Sequence, residues 1–307
     1  MESDTLSNSE KHTEQKSSRY RGLDSWSDTE VLESLWASQA KALASVQSAI
    51  PFLEQAALEI VARLKQSGRL FYIGAGASGH LAIQDGLELH PTYGWPLEKT
   101  VLMVAGGAEA LLYSMGGVED DRSLPVKELK EKNLSSGDVV IAVAASGSTP
   151  YTLAAVEYAQ SIGALVVSIA NNPEAPLFRF SNYKVFLGTG AEVVAGSTRM
   201  AAGTAQKIAL NMLSTLVMTK LGHVHDGLMV SMTISNEKLI KRAVSMVQEI
   251  TGVTAFMATQ ALSEAENNIK LACLIALGHS KQKAEQVLGQ NGWILRQAIE
   301  TLETLKK

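Results

Sequence analysis

Between Arg69 and Thr189 the chain alternates short apolar runs with longer segments of helical period. "RLFYIGAG", "TVLMVAGG", "GDVVIAVAAS", "ALVVSIANN" and "KVFLGT" are short and apolar, as strands covered on both faces must be. The segments between them, such as "TPYTLAAVEYAQSIG", space their apolar residues helically and end in glycine. Strands alternating with helices predict a parallel sheet in a doubly wound α/β domain. Upstream, "SDTEVLESLWASQAKALASVQSAIPFLEQAALEIVARLKQSG" also has helical spacing. Ser27 and Glu30 suit a capping box there, Pro51 is expected to break the run, and Gly68 follows its end. "STRMAAGTAQKIALNMLSTLVMTKLG" predicts one long helix rich in Ala, Met and Leu, and after about Ala243 only short helical patterns follow. The expected organisation is a polar arm over residues 1–24, an α/β domain over 25–246 and a small helical domain over 247–307.

Composition narrows the class. At 307 residues and 46% hydrophobic, the chain is long enough for one large core and a small satellite domain. A net charge of −4 with 19% charged residues gives no basic footprint for nucleic acid. The single cysteine, Cys273, lies in "IKLACLIALG" and reads as core packing. One cysteine excludes a disulfide framework or a zinc cluster and fits a reducing cytoplasm, the expected location. The opening "MESDTLSNSEKHTEQKSSRY" lacks the apolar stretch of a secretory signal, and no apolar run is long enough to predict a membrane span.

"GAGASG" offers the spacing of a dinucleotide fingerprint at Gly74, Gly76 and Gly79, but the next strand-like run ends in small residues instead of an acidic one, which argues against a nicotinamide cofactor. There is no Walker lysine motif either. Hydroxyls carry more weight. Ser78 follows the first strand, and Ser146, Ser148 and Thr149 follow "VVIAVAA", each group where the next helix begins. Free backbone N–H groups, the positive end of the helix dipole and serine hydroxyls can cradle a phosphomonoester there without a lysine. The bland alternative is that Ser146 and Thr149 only cap a helix. Two loops of the same type favour the phosphate.

Further along, "SGSTP" after an apolar strand resembles the phosphate loop of sugar-isomerase (SIS) domains. "GRLFYIGAGASGHLAIQDGLELHPTYG", "GGVEDD", "AASGSTPYTLAAVEYAQSIGA", "GSTRMAAGTAQKIALNMLST" and "LMVSMTISNEKLIKRAV" are similar to N-acetylmuramic acid 6-phosphate etherases over nearly the whole chain, as is the arm "TEQKSSRYRGLD". The resemblance implies a cofactor-free, metal-free carbon–oxygen lyase of SIS type with a small C-terminal helical domain. It implies a homodimer acting on a small-molecule phosphosugar, with neither nucleic acid nor membrane as partner. The implied reaction removes D-lactate from the sugar's 3-ether by elimination and water addition, which needs a base and an acid. The family's two glutamates fall on Glu88, in "GLELHPTYG", and Glu119, in "GGVEDD"; Glu88 is assigned as acid and Glu119 as base, roles that can be exchanged. The substrate set implied by the resemblance is Ser78, Gly79, His80, Ser146, Gly147, Ser148, Thr149, Ser197 and Lys207.

Departures from the pattern bear on the substrate. The family's Gly-Thr-Ser-Gly-Arg stands here as Gly76, Ala77, Ser78, Gly79 and His80, and Ser148 replaces the arginine of Ser-Gly-Arg-Thr-Pro. Ser231 and Ala108 stand at acidic positions of the pattern. Losing two arginines weakens a bidentate hold on phosphate or carboxylate. The related vertebrate glucokinase regulatory protein binds phosphosugars without known etherase chemistry. A non-catalytic phosphosugar-binding regulator, or a lyase or isomerase of another amino-sugar phosphate, is therefore the alternative. His223 and His225 in "HVH" lack a third metal ligand with motif support. His80 and His90 flank the Glu88 helix and read equally as proton shuttles or as structural residues. Arg199, Gly203, Lys207 and Asn211 form a polar stripe at i, i+4 spacing, read as a site wall or a dimer face.

Overall fold

The computed structural model describes residues 12–113 and 115–304. Among these residues a five-stranded sheet has the order β2-β1-β3-β4-β5, built from β1 (Leu70–Gly74), β2 (Thr100–Val104), β3 (Val139–Val143), β4 (Leu165–Ala170) and β5 (Tyr183–Phe186). All its pairings are parallel. Every residue of β1, β3 and β4 is buried, which is why these runs show no polar alternation. Phe71, Ile73, Val140 and Ala142 face one side and pack with Leu129 of α3 (Ser123–Glu131) and with Tyr151, Ala155 and Ala159 of α4 (Pro150–Ser161). Tyr72, pointing the other way, donates its hydroxyl to Asp85 of α2 (Gly76–Tyr93) at 2.9 Å. Asp85 also accepts from Asn211 and Ser214 of α5 (Ala201–Lys220), at 2.6 and 3.0 Å. Helices thus cover both faces of the sheet.

Contacts divide the chain into two compact units, Met1–Gly86 with Glu98–Ser214 and Leu87–Leu97 with Thr215–Lys307. The first holds the sheet. The second holds α6 (Glu237–Thr251), α7 (Ala255–Glu264), α8 (Ile269–Ala276), α9 (Lys281–Gln290) and α10 (Leu295–Thr304), packed on a core that includes Met246, Leu262, Cys273, Leu288 and Leu302. Burial pushes the Cys273 thiol up to about 12, which suits packing. The boundary drawn near Met246 from sequence falls inside this second unit.

Two local expectations change. Ser27 and Glu30 do form the capping box of α1 (Asp28–Lys65), but α1 runs on through Pro51. A proline removes one helical hydrogen bond; eleven buried residues, from Ser38 to Leu64, hold this helix in place across it. The polar arm has its first eleven residues outside the described ones. Where it is described, Thr13 is fully buried: its hydroxyl accepts from the side-chain amide of Asn172 at 3.2 Å, and its carbonyl accepts from Gly196 N–H at 3.1 Å.

Candidate active site

The order β2-β1-β3 reverses direction at β1, so the loops after β1 and β3 emerge side by side, with Gly74 in register with Val143. Open α/β sheets bind their ligands at this switch point. Gly74 and Gly79 let β1 and α2 meet, since a methyl group on Gly74 would lie 2.7 Å from Gly79 Cα. Packing thereby accounts for Gly74 and Gly79 of the fingerprint-like spacing. Ser78 is buried in the first turn of α2 and His80, two residues on, is exposed.

The second loop is shaped by Gly147. Its φ is +67°, and a methyl group there would sit 2.2 Å from Ala175 Cβ. Thr149 occupies the N-cap of α4 with Pro150 following, yet its side chain makes no capping bond. The hydroxyls instead turn toward one another. Ser146 Oγ accepts from Ser148 N–H at 3.2 Å and from Ser148 Oγ at 3.3 Å, and lies 3.4 Å from Thr149 Oγ1. Three hydroxyls at a helix N-terminus, none capping it, suit an anion better than a simple cap.

Beside the first loop lies a cavity of about 510 Å³, lined by Gly76, Ala77, His80, Glu119 and Arg199 with an apolar wall that includes Leu112 and Tyr113. Glu119 sits in a short 3-10 turn, Val118–Asp120. Its Oε2 is 3.9 Å from where a Gly76 methyl group would be. His80 Nε2 lies 2.9 Å from the Ala110 carbonyl and so ties down the loop after β2. Glu88 is exposed in the C-terminal half of α2 and does not line this cavity. His90 Nδ1 contacts the Trp95 carbonyl at 3.0 Å.

The four-residue stripe is not one surface. Arg199 precedes α5 and lines the cavity, and Asn211 bonds the buried Asp85. Gly203 is buried with Leu81 nearby, while Lys207 is exposed. Ser197 is half-buried in the turn leading to α5. That turn is held by two groups the motifs did not single out. Glu192, 1% exposed, accepts N–H bonds from Ala201 and Ala202 at 3.0 and 2.9 Å. Burial raises its carboxyl above the usual range even though those two bonds pull the other way. Thr13, with Asn172, holds the loop at Gly196.

Comparison with known proteins agrees with this architecture. A model of the glucokinase regulatory protein N-terminal SIS domain matches residues 53–160, and an SIS domain model matches residues 127–237. The chain is 42% identical to N-acetylmuramic acid 6-phosphate etherase of Deinococcus radiodurans, over 96% of this chain and 97% of that one. It is 45% identical to N-acetylmuramic acid 6-phosphate etherase 1 of Vibrio cholerae, over 85% of this chain and 87% of that one. With the etherase of Halalkalibacterium halodurans it shares 38% over 94% of its length and 98% of the relative's. At such identity over nearly the full length of both chains, this protein belongs to the N-acetylmuramic acid 6-phosphate etherase family.

Proposed function

We propose that the chain cleaves the D-lactyl ether of N-acetylmuramic acid 6-phosphate to give N-acetylglucosamine 6-phosphate and D-lactate. One observation carries this reading: the Glu119 carboxylate shares a cavity with Arg199 and His80 beside the N-terminus of α2, at the switch point of an etherase-family chain. Glu119 removes the C2 proton. The C3–O bond then breaks, and its electrons leave on the lactate oxygen, which takes a proton from an acid, a role that the resemblance, and not the lining of this cavity, gives to Glu88. Water adds back across C2 and C3, giving hydroxyl to C3 and proton to C2. The 6-phosphate takes the Ser146–Thr149 loop, and Ser78, Gly79, Ser197 and Lys207 complete the substrate contacts. In this reading the chemistry needs neither a metal nor an organic cofactor, and it serves cytoplasmic recycling of peptidoglycan amino sugars.

A homodimer is the assembly we favour. On α1, Leu32, Trp36, Leu43 and Ile50 are 65%, 66%, 59% and 45% exposed. Steps of four, seven and seven residues place them on one face, the spacing of a helix-pairing seam. No described helix is long and apolar enough to cross a membrane.

The test is incubation with N-acetylmuramic acid 6-phosphate in deuterated water, with D-lactate assayed and the sugar read by mass spectrometry. Lactate release with one deuterium gained at C2 is expected. Tight sugar-phosphate binding without lactate release would replace this reading with the regulator that the match to the glucokinase regulatory protein domain favours.

A further inference from the structure

The second unit contains a cavity of about 560 Å³ that the etherase chemistry does not use. Lys270, near the start of α8, lines it and is only 5% exposed. Its ammonium donates to one neutral group, the Trp293 carbonyl, at 2.9 Å. No ion pair joins it among the described residues. Glu266 also lines the cavity, but its carboxylate is exposed and bonded to Lys281 at 2.5 Å. A buried ammonium has three donors and a full charge to satisfy, and one carbonyl leaves most of that demand open. Ser231 stands in the same lining, at a position where the resemblance carries an acidic residue.

The rest of the lining suits an anion with an apolar part. Asn268 spends its side-chain oxygen capping Leu271 N–H at 3.1 Å, leaving its amide N–H groups to donate. Val230, Met232 and Ile269 are buried apolar walls. Glu266, Asn267 and Trp293, with φ of +51°, +66° and +60°, all border the cavity. All three follow the ends of α7 and α9, where left-handed residues close a helix: Asn267 N–H donates to the Leu262 carbonyl at 3.0 Å and Trp293 N–H to the Leu288 carbonyl at 2.7 Å, which fixes this edge of the cavity.

We infer that this cavity binds a small organic monocarboxylate, its carboxylate on the Lys270 ammonium and the Ser231 hydroxyl and its apolar part against Met232 and Ile269. One cation with neutral donors matches one negative charge; a phosphate dianion would bring twice the charge to a site without a second cation or an arginine. The site does not depend on the etherase reading, since none of its residues lines the Glu119 cavity.

The experiment uses the full chain labelled with ¹³C at lysine Cε. The Lys270 resonance is identified by its absence in Lys270→Met, or in Lys270→Arg should the methionine variant fail to fold. Burial draws this amine down to about 8, so its resonance titrates near that pH, apart from ordinary lysines. Sodium acetate and sodium D-lactate should each shift it saturably, against sodium chloride of equal ionic strength. Ser231→Asp supplies an internal carboxylate; it should raise the pH of titration and weaken the response to acetate at least tenfold. A resonance unmoved by both carboxylates, one moved equally by chloride, or one moved more strongly by inorganic phosphate would overturn the assignment. So would an undiminished acetate response in Ser231→Asp.

Discussion

Oε2 of Glu119 lies 3.9 Å from the point where a methyl group on Gly76 would project. Gly76 opens α2 with φ +51°, so it also holds a backbone conformation that side chains adopt at a cost. Glu119→Gln keeps the shape of the side chain but cannot take a proton. It should lower turnover by about 10²–10⁴-fold with a much smaller change in substrate affinity. Gly76→Ala should be milder in chemistry and worse in stability, costing on the order of 1 kcal/mol for the strained φ. Steady-state kinetics with denaturant midpoints separate the two effects. Normal turnover in Glu119→Gln would remove it as the base.

The phosphate loop makes a complementary prediction. Ser146→Ala with Thr149→Ala removes two of three clustered hydroxyls without disturbing a helix cap, because neither side chain caps α4. KM for the sugar phosphate should rise tenfold or more, each lost hydrogen bond to a charged group contributing about 1.5–3 kcal/mol, while the unfolding midpoint barely moves. Gly147→Ala should cost stability as well as binding. Its methyl group would meet Ala175 Cβ at 2.2 Å with φ +67°, so the loop must shift and the protein should lose about 1–3 kcal/mol. A double alanine variant with unchanged KM would place the phosphate elsewhere.

The α/β unit was legible because burial on both faces of β1, β3 and β4 writes continuous apolar runs, and each run named from sequence overlaps one strand. The serine loops were legible because strand ends and helix starts are adjacent in sequence. What the pattern missed depends on distant partners. Thr13 is buried by Asn172, 159 residues away, and nothing around Thr13 in the chain signals it. Counting at i, i+4 puts Arg199 on a helical stripe, but the helix begins at Ala201, after a turn fixed by Glu192. Local propensity predicts a break at Pro51 because it ignores the packing that carries α1 through it.

Glu192 is the test of that turn. It accepts two N–H bonds at the start of α5 from a site 1% exposed to solvent. Glu192→Ala leaves both donors unmet in a buried place, and the loss should be about 2–4 kcal/mol. Because the same turn carries Ser197 and Arg199, Glu192→Gln should retain more stability yet still impair kcat/KM. A denaturant melt and the kinetics of both variants check this. Wild-type stability in Glu192→Ala would mean that the cap is dispensable.

His223 predicts how the second unit responds to acid. Its Nδ1 is buried with no hydrogen-bond partner among the described residues, and its ring meets Trp95 edge to face at 6.0 Å between centroids. Burial first, and then the nearby Lys270 charge, pull its pKa down to about 4. In the unfolded chain a histidine titrates at about 6.5. Above that pH neither state holds the extra proton, and the contribution of the neutral ring is fully present. As pH falls from about 6.5 toward 4 the unfolded state takes up a proton that the folded state refuses, so stability declines through this window and levels off below it. The decline from this group should be on the order of 1–3 kcal/mol, after allowance for partial solvent access. Denaturant midpoints measured at intervals between pH 7 and 4 should show it, and His223→Gln should flatten that part of the profile. Lys270→Met removes the second cause of the shift, so it should raise the His223 pKa and narrow the window from its acid side. An identical acid profile in wild type and His223→Gln would show that His223 does not titrate differently on folding.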